Sequence, residues 1–314
     1  MKVGVLGGGG FLGSAICDRL LKDGYRLKIF ERPGISSFRI FSENEQVEWI
    51  MGDFSSVYDI ETFINGVDVV IHLVSSTLPG TSNEDMVFDV QSNVISTLHL
   101  LNSMVAKGIK KIIFVSSGGT VYGNPKYTPL DEGHPTNPIV SYGITKLAIE
   151  KYLLLYQGLH GIKATILRVA NPYGERQRVE TAQGTVGIFL SKALSQEPIE
   201  IWGDGSVIRD YIYVGDVADA VAKALDYDGE ESIFNIGSGS GKSLNELIST
   251  IKEIVRLDFE VRYLPSRSFD VPINVLNSSL ALKELRWDPK IEFYEGIKKT
   301  AAWMSSNFRK KSNE

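Results

Sequence analysis

Only one cysteine, Cys17, occurs in 314 residues, so no intramolecular disulfide can form, and a reducing compartment, the cytoplasm, is the expectation. Four histidines and that cysteine show no ligand spacing, and no metal is expected. No apolar run approaches the ~20 residues that a membrane helix needs. The opening Met1-Lys2-Val3-Gly4-Val5-Leu6 is cut short by four glycines and then by Asp18 and Arg19, which argues against a secretion signal. A soluble chain with no membrane partner is expected. Positive charge is not in surplus: 33 Lys and Arg stand against 38 Asp and Glu, a net −5 with no basic stripe. A nucleic-acid partner gains no support from that balance, and any anionic ligand must be held locally. Repeats and low-complexity tracts are lacking too, and residues 309–314 read as a solvated end.

What is present is ordinary globular material, 43% hydrophobic and 23% charged. Short runs rich in Val, Ile and Leu, at 2–6, 26–30, 47–51, 67–73, 111–116 and 163–169, alternate with longer amphipathic segments. Because the runs are continuous, they predict parallel strands covered on both faces, with crossover helices over 11–23, 90–107 and 141–160. The expected fold class is α/β, a doubly wound parallel sheet with a smaller, discontinuous α/β domain toward the C-terminus. After Asn171-Pro172-Tyr173-Gly174 the rhythm shortens, with a Gly-rich turn at 237–241 and a Pro/Ser/Arg loop at 265–272. Residues 1–170 are assigned to the first domain, with about 205–235 returning to it, and 171–314 mainly to the second.

The first strand runs into Gly7-Gly8-Gly9-Gly10-Phe11-Leu12-Gly13, which satisfies G-x-G-x-x-G through Gly8, Gly10 and Gly13 and G-x-x-G-x-x-G through Gly7, Gly10 and Gly13. A dinucleotide needs glycine for the tight turn, for close approach to the pyrophosphate and for helix packing on strand, with helix N–H groups facing the phosphates. Strand and helix flank the motif, so a Rossmann nucleotide site is the reading. Glu31 ends the second strand near the offset where a carboxylate accepts from the adenosine ribose hydroxyls, favouring NAD, while Arg32 beside it could pair with the 2′-phosphate of NADP. Asp53 after the third strand is placed either for the adenine amino group or as a turn residue.

Hydride transfer without a metal needs a proton acceptor, and a Tyr and a Lys four residues apart on one helix face can supply it, the ammonium lowering the phenol's pKa. Three such pairs occur, Tyr122/Lys126, Tyr142/Lys146 and Tyr294/Lys298. Pro125 removes the first from any helix, and the third follows no hydroxyl-bearing strand end. Tyr142/Lys146 opens an amphipathic helix after the strand that ends Phe114-Val115-Ser116-Ser117, so it is the candidate pair.

Taken together, Gly7 to Gly13, His72-Leu73, Asn93, Ser116-Ser117-Gly118-Gly119-Thr120-Val121-Tyr122-Gly123, Ser141-Tyr142-Gly143-Ile144-Thr145-Lys146, Asn171-Pro172-Tyr173-Gly174, the stretch from Arg209 to Val214, Asn235 to Gly239 and Arg267 to Asp270 resemble the extended short-chain dehydrogenase/reductase family, in its UDP-galactose 4-epimerase-like branch. The resemblance covers nearly the whole chain. It implies that Tyr142 is the acid/base, that Lys146 holds the nicotinamide ribose and tunes Tyr142, and that Asn93 organises the site. Phe11, Leu12, Phe54, Leu73, Ser75, Asn93 and Ser116 join the glycines, Glu31, Arg32, Asp53, Tyr142 and Lys146 on the cofactor side. Asn171, Arg209 and Arg267 fall where the family grips the nucleotide diphosphate, with Thr185, Trp202, Asp270 and Asn274 also toward the substrate. Gly118 departs from the pattern, standing where such epimerases commonly carry a serine or threonine. The sugar's hydroxyl partner is then Thr120, with Ser117 in support. The family also implies a tightly bound NAD, a UDP-sugar substrate, a homodimer through helices 90–107 and 141–160, and a setting in carbohydrate metabolism or polysaccharide biosynthesis.

Related 4,6-dehydratases carry an Asp-Glu pair where this chain has Gly119 and Thr120, and related decarboxylases carry glutamate at Thr120. Epimerisation at C4 needs neither, so it is the expected reaction, on UDP-glucose and UDP-galactose. A small Asn274 near the sugar C2 substituent adds the N-acetyl forms. An NAD(P)-dependent nucleotide-sugar dehydratase or keto-sugar reductase, and a non-catalytic NAD-binding regulatory module, are the alternatives. The run Gly237-Ser238-Gly239-Ser240-Gly241-Lys242-Ser243 resembles a phosphate loop, but its spacing is one residue short, and a strand-to-helix turn explains it better.

Overall fold

Continuous apolar runs sort by alternation into two cores. Val3, Val5, Ile71, Ile113 and Leu167 face one, and Leu6, Val70, Ile112, Phe114 and Ile166 face the other, as expected of strands buried on both sides. The computed structural model describes residues 1–35, 37, 39–178, 184–266 and 271–311. In chain order come β1 (Lys2–Leu6), α1 (Phe11–Lys22), β2 (Arg26–Glu31), β3 (Val47–Met51), α2 (Val57–Ile64), β4 (Val69–His72) and α3 (Met86–Asp89). A π-helical stretch (Val90–Ile95) carries α3 straight into α4 (Ser96–Lys107), followed by β5 (Lys111–Ser117), α5 (Ser141–His160) and β6 (Lys163–Val169). Then follow β7 (Asn171–Tyr173), α6 (Thr185–Leu194), β8 (Ile199–Trp202), β9 (Ile208–Tyr213), α7 (Val214–Asp226), β10 (Ile233–Ile236), β11 (Gly241–Ser243), α8 (Leu244–Val255), β12 (Val261–Leu264), β13 (Ile273–Asn274) and α9 (Phe293–Lys311).

Seven parallel strands form the main sheet in the order β3-β2-β1-β4-β5-β6-β10. Helices α1 and α7 pack together on one face, and α2, α4 and α5 on the other. Strand order reverses between β1 and β4, so a crevice opens at the carboxyl ends of these strands, where α/β sheets bind ligands. The expected doubly wound α/β fold is the one found. Smaller sheets gather beyond it: β9 is flanked by β7, β11 and β13, and β8 pairs with β12, over a third core with α6, α8 and α9.

Candidate active site

The glycine turn after β1 is built as the G-x-x-G-x-x-G spacing requires. Gly7 sits at φ +84°, where a side chain would be strained, and a Cβ on Gly13 would lie 2.1 Å from the Gly7 carbonyl oxygen. Gly10 caps α1 without a side chain. The N–H groups of Phe11, Leu12 and Gly13 therefore precede the first intrahelical bond, Ser14 N to the Gly10 carbonyl, and no intrahelical acceptor exists for them. Gly13 lets α1 pack directly on that turn, and the free N–H groups at its start fit a pyrophosphate. Glu31, at the end of β2, accepts from Gly9 N and from Arg32 N, both at 3.2 Å. Burial pushes its carboxyl up, with those N–H groups and the Arg32 and Arg178 charges opposing. Arg32 itself is exposed. Asp53 takes a turn role, its Oδ1 accepting from Ser55 N at 2.8 Å ahead of α2. Phe54 is buried against His72, and Leu73 hydrogen-bonds back to β1 through Leu6.

Tyr142 and Lys146 occupy the first two turns of α5. Lys146 is buried, its Nζ donating to the Val115 carbonyl at 3.1 Å and lying 5.7 Å from the Tyr142 ring centroid. Burial pushes the ammonium down to about 8, although Glu150 and Asp89 pull it up. The expected lowering of the phenol by Lys146 is not found. Burial instead pushes Tyr142 up to about 12, the Asp89 charge adds to this, and a hydrogen bond with Ser75 holds it back.

Two other residues expected on the cofactor side face inward. Ser116 is buried and donates its hydroxyl to Glu150, which forms a buried ion pair with Arg168 at 2.7 Å. Asn93, in the π-helical stretch, is also buried. Its Oδ1 accepts from Ser76 N at 2.9 Å and its Nδ2 donates to Asp89 Oδ1 at 2.8 Å, so its amide ties the chain after β4 to the π-helical stretch.

Gly118 is dictated by packing. A Cβ there would lie 2.5 Å from Leu276 Cδ1 and 3.0 Å from the Arg168 carbonyl, so the usual serine would fit only if the buried Leu276 side chain shifted. The hydroxyls left at this strand end are Ser117, half-buried, and Thr120, whose Oγ1 is enclosed without a partner. On the substrate side β7, β9 and β13 bring Asn171, Arg209 and Asn274 into one small sheet. Asn171 Nδ2 donates to the Asp210 carbonyl at 3.0 Å, and Arg209 Nη1 donates to the Val271 carbonyl at 2.7 Å. Asn274 differs from the expectation of a pocket-lining residue. It is 1% exposed and donates to the Gly118 carbonyl at 3.1 Å, so it backs the wall rather than lining it. Thr185 opens α6 and Trp202 ends β8, half-buried and exposed respectively. Arg267 and Asp270 lie outside the described residues.

The loop after β10 is closed to phosphate. Asp210 fills it, accepting from Ser238 N at 2.8 Å, Ser238 Oγ at 2.6 Å and Gly239 N at 3.2 Å. It is not a direct strand-to-helix turn either, because β11 intervenes before Ser243 caps α8.

Residues 3–237 match the model of the NAD dependent epimerase/dehydratase family. The chain belongs to that family. The UDP-glucose 4-epimerase of Thermotoga maritima, solved with UDP-glucose, superposes with a TM-score of 0.93 at 34% identity, covering 98% of this chain and 100% of that one. The UDP-glucose 4-epimerase of Thermus thermophilus, in complex with NAD, gives 0.89 at 32% identity over 97% and 99%. A relative of different activity, the dTDP-4-dehydro-6-deoxyglucose reductase of Escherichia coli, is 35% identical over 95% of this chain and 96% of its own length.

Two features of this family member escaped the sequence reading. One is Asp89, four residues before Asn93 and fully buried; that i,i+4 spacing of two polar residues was its only trace. The other is the chain Ser116–Glu150–Arg168–Tyr122–Asn235 beneath the strand ends, closed by Tyr122 Oη donating to Asn235 Oδ1 at 2.6 Å. Among the described residues no cluster of His, Cys, Asp and Glu could hold a metal, and no helix is long and apolar enough to cross a membrane.

Proposed function

We propose that the protein is a UDP-hexose 4-epimerase, interconverting UDP-glucose and UDP-galactose with a tightly held NAD. The observation that carries this reading is the lining at the end of β5: Ser117 brings a half-buried hydroxyl, Gly119 leaves open space, and no carboxylate stands among residues 117–120. Elimination of water or loss of carbon dioxide would call for an added acid or base there, whereas inversion at C4 does not. Tyr142 Oη takes the proton of the C4 hydroxyl and gives it back, with the half-buried Ser117 hydroxyl orienting the sugar and Thr120, whose Oγ1 is enclosed, able to join only if its side chain turns. Phe11, Leu12 and Gly13 hold the pyrophosphate on their N–H groups, and Glu31 meets the ribose hydroxyls, where a 2′-phosphate would be repelled. NAD, when bound, supplies the hydride acceptor and a positively charged ring. Asn171 and Arg209, with Arg267, grip the diphosphate of the substrate.

The N-acetyl forms gain no support from Asn274, since that side chain is buried. The keto-sugar reductase reading is favoured by one observation, the 35% identity to the Escherichia coli enzyme. Two assays separate the readings. UDP-galactose given to the purified protein without added coenzyme is expected to yield UDP-glucose by proton NMR. No conversion, with consumption of NADPH on a keto-sugar, would favour the reductase.

Dimerisation through α4 and α5 is proposed as well. Ile95, Ile144, Tyr152, Leu155 and Leu159 are exposed on the π-helical stretch and α5, apolar surface that a second copy would cover.

A further inference from the structure

One carboxylate of the catalytic region takes no part in moving hydride or proton. Asp89 ends α3 and is fully buried. Its Oδ2 accepts from Ser141 Oγ at 2.6 Å, and its Oδ1 accepts from Asn93 Nδ2 at 2.8 Å and from Thr77 Oγ1. Thr145 Oγ1 lies 3.4 Å from both oxygens. These donors come from three separate segments: the chain after β4, the π-helical stretch and the opening of α5. Two of them adjoin groups at the reacting centre. Ser141 precedes Tyr142 and Thr145 precedes Lys146, while the Thr77 carbonyl receives the hydroxyl of Ser75, the partner of the Tyr142 phenol. Burying a carboxylate is costly unless it is hydrogen-bonded, and here several polar hydrogens converge on it.

We propose that Asp89 is a positioning residue for the reaction: its carboxylate pins the opening of α5 and the segment after β4 to the π-helical stretch, and so sets where the Tyr142 hydroxyl meets the sugar. This rests on Tyr142 being the acid/base. The carboxylate also acts through space, its charge raising both the Tyr142 phenol and the Lys146 ammonium. The other titratable groups facing this pair are Glu150, one helical repeat beyond Lys146, and His72 at the end of β4, whose ring feels the Lys146 charge. Ser75 is the uncharged partner on the segment after β4.

Asp89→Asn removes the charge and should do two things. The kcat falls about tenfold with little change in KM, and the limb of kcat that rises with pH moves lower by on the order of one pH unit, because a phenol without a nearby negative charge deprotonates more easily. Asp89→Glu keeps the charge but shifts its anchorage, so kcat falls while the limb stays. The phenol can also be followed without turnover, by ultraviolet difference titration of the NAD-loaded protein, with Tyr142→Phe subtracting the other tyrosines. There Tyr142 should titrate lower in Asp89→Asn by the same shift. A lowered melting temperature with an unmoved phenol titration would mean a scaffolding role alone and overturns the proposal. Should Asp89→Asn not fold, Ser141→Ala removes one donor and keeps the charge. It should lower kcat with KM and phenol titration unchanged, and an unaltered kcat overturns the proposal. A phenol shift in a protein that converts no UDP-hexose would sink the assigned reaction and leave the role of Asp89 standing.

Discussion

At the scale of single residues, buried polar groups decide most of what is distinctive here. His72 is a clear case. The sequence places it at a strand end beside the cofactor, inviting a catalytic role, yet its Nε2 faces Thr97 Oγ1 at 2.9 Å and its Nδ1 is enclosed without a partner. Burial, helped by the Lys146 charge, pushes it from 6.5 down to about 3. The folded ring resists a proton that the unfolded chain accepts, so its cost to stability is absent above about 6.5 and grows as pH falls toward about 3. At about 1.4 kcal/mol per unit, some 2–3 kcal/mol should be lost through this residue by pH ~4.5. Urea unfolding at neutral pH and at ~4.5 measures it: His72→Gln should lose markedly less stability between the two than the native chain. Equal losses would show that this ring is not the proton acceptor.

Ser116 and Asn93 teach a related lesson. Their residue types and positions were legible, but the direction of each side chain depends on partners far along the chain, Glu150 for one and the backbone of Ser76 for the other. No local pattern reveals which way a strand-end hydroxyl turns.

At the scale of elements, the strands were legible because continuous apolar runs have few other uses in a chain of this composition. The run at 67–73 trims to Val69–His72, and the rest agree within a residue. The helix expected at 90–107 is the instructive miss. Helical structure begins at Met86 and passes through a π-helical stretch before α4, and no residue type marks such widening. The widened turn carries Asn93 against Asp89. The end of β5 makes an element-scale prediction. Gly118 looks like a lost catalytic serine, but Leu276 occupies the space where that side chain would start. Gly118→Ser should therefore lower stability by roughly 1–3 kcal/mol through overpacking, without raising kcat. Denaturant titration and steady-state assay check both, and a stable variant with faster turnover would contradict the packing argument.

At the scale of the whole molecule, the sheet places the glycine cradle, Glu31, Ser75, Ser117 and Asn171 at or just beyond the carboxyl ends of successive strands, around one crevice. The motif spacings made that convergence legible before any coordinates. Arrangement of the smaller sheets was not legible, because β7, β11 and β13 have only two or three residues each and their pairing with β9 is set by tertiary contact. Assembly belongs to this scale too. Sedimentation equilibrium should give twice the chain mass of 34.7 kDa, and Leu155→Glu, by charging the exposed apolar face of α5, should shift the protein toward monomer. A native protein that sediments as a monomer would remove the dimer proposal.

The central claim is that hydrogen leaves C4 of a UDP-hexose and returns to the same carbon within one site, with Tyr142 handling the proton. UDP-galactose carrying deuterium at C4 tests it most directly, with products read by mass spectrometry and NMR. The account predicts UDP-glucose with deuterium still at C4 from the native protein, and no conversion by a Tyr142→Phe variant that still binds NAD. Loss of the label to solvent, or full conversion by that variant, would contradict it.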